Sequence, residues 1–88
     1  MNNPSITAQE DMKRFHTYRV IIEPDENNTF YAHVPALPGC FTWGESIEEV
    51  RTLIRDAIGV YLRSLIKDGE PIPEDSGIEI VESVPAYA

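Results

Sequence analysis

The sequence predicts a mixed α/β (α+β) chain of order β-β-β-α-β, a four-stranded mixed sheet with one long helix on one face. Three observations point to it. Short stretches between residues 17 and 44 alternate apolar and polar side chains, the period of two that a strand imposes. Apolar residues then recur at steps of three and four from Val50 to Leu65, the period of a helix with one buried face. Alternation returns near the C-terminus with Ile78 and Ile80.

Residues 1–16 have little periodicity and read as a polar N-terminal arm, with Ser5 able to cap one or two helical turns. A single domain is expected from residue 17 to residue 88. Strand one is read in TYRVIIE, where Tyr18, Val20 and Ile22 share one side. PDENN follows as a turn, since proline presets φ and Asn27 or Asn28 tolerates positive φ. TFYAHV, with Phe30, Ala32 and Val34 in alternation, completes a hairpin.

Leu37-Pro38-Gly39-Cys40 has proline and glycine at the central positions of a type II turn, which requires positive φ at the glycine. CFTWG is the third strand. Ser46 stands three residues before Glu49, the spacing of a capping box, so a helix should start there and run to about Asp68. Val50, Ile54, Ala57, Tyr61 and Leu65, flanked by Leu53, Ile58 and Leu62, give it one broad apolar face. Gly69, Pro71 and Pro73 stop it. GIEIVESV is the expected fourth strand, and a right-handed crossover puts it beside strand one, in the order 3-2-1-4. The sheet face away from the helix would carry Arg19, Ile21, Tyr31 and His33 and offers a site for another subunit.

Composition narrows the function classes. With 42% hydrophobic and 25% charged residues the chain has enough apolar material to fold. Seven basic residues against 15 acidic ones give a formal net charge of −8, which repels phosphate backbones and favours basic partners, so direct DNA binding is not expected. The single cysteine makes no internal disulfide, and no apolar run approaches the roughly 20 residues that cross a bilayer. A polar start without a signal-peptide pattern makes a reducing cytoplasm the simplest compartment.

Pro24-Asp25-Glu26, Tyr31-Ala32, Pro35-Ala36-Leu37-Pro38-Gly39-Cys40, Thr42, Gly44, Ser46, Glu48-Glu49, Ala57-Ile58 and Tyr61-Leu62 form a pattern that resembles the HicB antitoxins of bacterial and archaeal toxin–antitoxin pairs. The likeness runs from about Tyr18 to Ile80. It implies a truncated ribonuclease-H-like fold and a partner, HicA, a small basic RNA-cleaving toxin that the domain binds and silences. Many members of that family carry a DNA-binding segment after this domain, whereas here the sequence ends at Ala88 soon after the expected fourth strand. Leu53 stands where family helices commonly have asparagine, so apolar packing is expected in place of a polar contact.

Individual residues add little chemistry. Cys40 has no second cysteine and no local histidine motif, which favours a packed structural thiol over a nucleophile. Phe41 and Trp43 are expected in the core rather than in a base-stacking platform. Glu23, Glu48, Glu49, Glu79 and Glu82 are the acids that a metal-dependent nuclease of ribonuclease-H-like ancestry would recruit, but capping and the helix dipole already account for Glu48 and Glu49. His16 and His33 lack zinc-ligand spacing, and no glycine pattern suggests a phosphate loop.

No catalytic, cofactor or metal site is therefore expected, and the chain reads as a non-enzymatic binding protein, a homodimer or higher oligomer. The leading expectation is a HicB-like antitoxin that neutralises a basic HicA-like toxin by contact. The alternative is a stand-alone homo-oligomeric regulatory or ligand-binding module of the same fold.

Overall fold

The computed structural model describes residues 15–86; the expected capped turns at Ser5 and most of the N-terminal arm lie outside the described residues. Three strands, β1 (Ile21–Asp25), β2 (Thr29–His33) and β3 (Phe41–Gly44), form an antiparallel sheet in the order β1-β2-β3, followed by the helix α1 (Ile47–Lys67).

The hairpin turn is tighter than the sequence suggested. Pro24 and Asp25, expected in the turn, belong to β1 and pair with Phe30 and Thr29. Proline is tolerated there because β1 is an edge strand of this sheet. The turn itself is one 3₁₀ turn at Glu26–Asn28, with Asn27 and Asn28 both at positive φ, 63° and 62°. Asp25 accepts the Glu26 amide through Oδ1 at 2.8 Å, and the Thr29 hydroxyl donates to the Glu26 carbonyl at 2.7 Å.

At its other end β1 starts later than expected, at Ile21 rather than Thr17. The reason lies in β2. Val34 would have to extend the ladder, but its N–H donates to Cys40 O at 3.1 Å and its carbonyl accepts from Leu37 N at 3.0 Å. Both its backbone groups are occupied by the turn that follows. That turn forms as the Pro-Gly pair implied: Cys40 N donates to Leu37 O at 3.0 Å and Gly39 sits at φ +83°.

Helix α1 begins and ends on local chemistry. Ser46 Oγ accepts the Glu49 amide at 3.0 Å, as expected, but Glu49 Oε1 reaches past the cap residue to the Glu45 N–H at 2.6 Å. At the far end Gly69 at φ +69° donates to Ile66 O and Glu70 N donates to Leu65 O, the paired bonds of a Schellman motif.

The core joins the helix to the underside of the sheet. Ala32, Val34, Leu37, Cys40, Val50 and Ile54 are buried, with Tyr18, Val20, Ile22, Phe30, Ala57, Ile58, Tyr61 and Leu62 packed partly around them. β3 comes close to α1 at Gly44, where a Cβ would lie 2.8 Å from Val50 N. Leu53 is exposed, so it does not supply the apolar packing expected in place of asparagine. Position 53 is simply off the buried stripe defined by Val50, Ile54 and Ala57.

Cys40 is buried in this core, and loss of solvent raises its thiol pKa above the ordinary value. The thiolate needed for nucleophilic or redox chemistry is thereby disfavoured. Cys40→Ala is expected to cost about 1 kcal/mol or somewhat more in chemical denaturation, the loss from a small cavity. In the folded protein Cys40 is expected to react with thiol reagents far more slowly than after unfolding.

The fourth strand is not formed. Residues 70–86 make no ladder with β1, so the order 3-2-1-4 reduces to three strands among the described residues. Instead the chain returns from α1 to the start of β1 and is anchored there by side chains. Tyr18 Oη donates to Pro73 O at 2.6 Å, and Asp75 accepts the Arg19 amide at 2.7 Å and its guanidinium Nε at 3.1 Å. Asp75 also accepts the Gly77 amide at 3.0 Å, which bends the chain where the strand should begin.

The Arg19 amide, then the Gly77 amide and the Arg19 guanidinium, hold the Asp75 carboxyl below its ordinary pKa. A depressed carboxylate pKa stabilises the folded anchor fully above the ordinary carboxylate range, and that contribution fades as pH falls through the lowered value. Hydrogen exchange at the Arg19 and Gly77 amides is expected to lose protection on acidification, and to do so already at neutral pH in Asp75→Ala.

Candidate binding face

Strand parity decides which side chains the helix leaves uncovered. Gly44 faces Val50 of the helix, so Thr42 shares that side and Phe41 and Trp43 take the other. The registers Glu23 with Tyr31, Tyr31 with Trp43, Ile21 with His33 and His33 with Phe41 then place these residues in two rows across the open face. Phe41 and Trp43 are 47% and 49% exposed, which corrects the expectation that they belong to the core. The sequence assigned them by hydrophobicity alone. The available signal was Gly44, whose missing side chain marks the face that meets the helix.

The aromatic rings form one contiguous group. Tyr31 stacks on His33 with centroids 5.5 Å apart and lies 5.1 Å from Trp43 and 6.1 Å from Phe41. Phe41 and Trp43 meet edge to face at 5.5 Å. Trp43 Nε1–H donates to Asp25 Oδ2 at 2.7 Å, which orients the indole beside an acid. Glu23, Pro24, Asp25, Tyr31, Phe41 and Trp43 line a shallow depression there.

Such a face suits binding. Aromatic rings supply large contact areas at low entropic cost and dominate interface energetics. Carboxylates next to exposed ring faces favour a guanidinium or ammonium group, which a ring quadrupole and an anion attract together. A nucleic-acid strand would stack on the same rings but would meet a chain of net charge −8.

The acids considered for metal chemistry are dispersed over different elements. Glu23 lies on the open face, Glu48 and Glu49 in the first turn of α1, Glu79 3.8 Å from the Arg19 guanidinium, and Glu82 in the exposed C-terminal segment. Among the described residues no group of three or more His, Cys, Asp or Glu side chains is placed to hold a metal ion. His33 sits in the open-face stack, whereas His16 lines a groove between the approach to β1 and the helix. Among the described residues no helix is long and apolar enough to cross a membrane.

Comparison with known proteins follows the same outline. A UPF0150 protein of Thermoplasma acidophilum is 48% identical over 63 residues, covering 72% of this chain and 91% of that protein. A UPF0150 protein of Archaeoglobus fulgidus is 36% identical over 67 residues, covering 74% and 91%. The crystal structure of the N-terminal domain of Burkholderia pseudomallei antitoxin HicB superposes with a TM-score of 0.55 at 28% identity, covering 74% of this chain and 69% of that one. Residues 18–88 match the family described as HicB-like antitoxin of bacterial toxin–antitoxin systems. The match spans β1 to β3, the Pro-Gly-Cys turn and the capped helix that shape the open face, and with these elements the chain belongs to the HicB-like antitoxin family.

Proposed function

We propose that this protein is the antitoxin of a pair, and that its open sheet face takes up a small basic RNA-cleaving toxin of the HicA type. The observation that carries this reading is the exposed pair Phe41 and Trp43, packed on half-buried Tyr31 and set against Glu23 and Asp25, in a chain of net charge −8. Lysine or arginine side chains of the toxin would lie on the rings and pair with the two carboxylates, so that groups meant for RNA phosphates are covered. The protein would act by contact, as a truncated ribonuclease-H-like domain without its own reaction centre, in the cytoplasm and without contacting DNA.

The direct test is a cleavage assay with the purified cognate toxin. Stoichiometric addition of this protein is expected to stop RNA cleavage, and inhibition is expected to weaken as salt screens the encounter. Cleavage that continues unchanged with this protein in excess would overturn the proposal.

A further inference from the structure

The C-terminal segment carries strand-like residues that its own chain leaves uncovered. Ile78, Ile80 and Val84 share one side of an extended chain, yet they are 88%, 74% and 79% exposed. They do not lie on their own sheet edge, because Asp75 bends the chain at Gly77 and takes the Arg19 amide just ahead of β1.

A surface of matching chemistry lies close by. The outer edge of β1 has no partner strand among the described residues. The helix packs chiefly on β3 and β2, leaving a groove beside β1. Val20, Ile22, Ile54 and Ile58 line that groove with Arg51 and Arg55. An added strand at the β1 edge would turn alternate side chains toward the groove, as every strand does.

We infer that residues 77–84 of one copy form the fourth strand of a second copy, each tail pairing with the other's β1 edge. Ile78, Ile80 and Val84 then cover the apolar side chains of the groove, and Glu82, on the same side of the strand, brings negative charge to the side that holds Arg51 and Arg55. Eight residues span roughly 26 Å when extended, ample for a five-residue edge strand. Exchange in both directions is isologous, so a two-fold dimer closes without leaving a tail over. An acidic apolar segment of this kind also fits the groove better than it fits the acidic open face.

Sedimentation equilibrium on the full chain tests this. The native protein is expected to be a dimer, and the double variant Ile78→Asp/Ile80→Asp is expected to raise the dissociation constant at least about tenfold. Those two side chains are exposed in the single chain, so the helical circular dichroism of the variant should be unchanged. Hydrogen exchange at residues 78–84 should show protection that disappears on dilution with the dimer. A native protein that is monomeric at every concentration overturns the inference, including one whose tail amides are protected by its own β1. So does a dimer that the double variant leaves intact, which would place the contact on another surface or on the N-terminal residues.

Discussion

Gly44→Ala is expected to destabilise the fold more than any other single methyl addition in the sheet. The Cβ it adds would lie 2.8 Å from Val50 N and 3.0 Å from Val50 Cα, and the obstacle is helix backbone rather than the movable end of a side chain. Relief requires α1 to move away from β3 at Val50, which is fully buried. Overpacking of this kind costs about 1–3 kcal/mol. In a domain of this size each kcal/mol lowers the melting temperature by roughly 4–8 °C, so a drop near the upper end should be visible in a thermal scan. A melting temperature within a degree or two of the native value would mean that helix and strand are not in contact at this point.

Trp43→Ala should have the opposite profile, with a large effect on binding and a small one on stability. The indole is about half exposed, packs edge to face with Phe41 and hydrogen-bonds Asp25, all on the side of the sheet away from the core. Truncating a central aromatic anchor typically costs about 2–4 kcal/mol of binding energy, or roughly 30- to 1,000-fold in the dissociation constant of the proposed toxin partner. Calorimetric titration of the toxin measures it, and Trp43→Phe should restore part of the loss by returning a ring without the Asp25 bond. An unchanged affinity in Trp43→Ala would overturn the proposed placement of a toxin on this face. Because the exchanged tails lie at the β1 edge, the same variant should leave self-association unaltered.

Much of the fold was legible because its signals are local. Ser46 and Glu49 mark the helix start three residues apart, Gly69 marks its end, and Pro38-Gly39 needs only its own backbone to select the turn. The family resemblance drew on the same local features, and the match over residues 18–88 agrees with it. The candidate face was legible only in part. Alternation puts Tyr31 and His33 on the open side, as found, whereas Phe41 and Trp43 read as core because aromatic character says nothing about which way a strand is turned.

The amino-acid sequence by itself determined the helix, the Pro38-Gly39 turn, the positive φ of the hairpin asparagines and the apolar stripe from Val50 to Tyr61, since each depends on residues within a few positions of one another. Only the tertiary structure decided the facing of β3, through the contact of Gly44 with Val50, and the limits of β1, through the engagement of Val34 in the following turn. It also decided the course of residues 77–84, whose alternation is that of a strand. A strand exists only where another backbone accepts its hydrogen bonds, and in a single copy the Asp75 anchor turns this segment away from the edge that would do so.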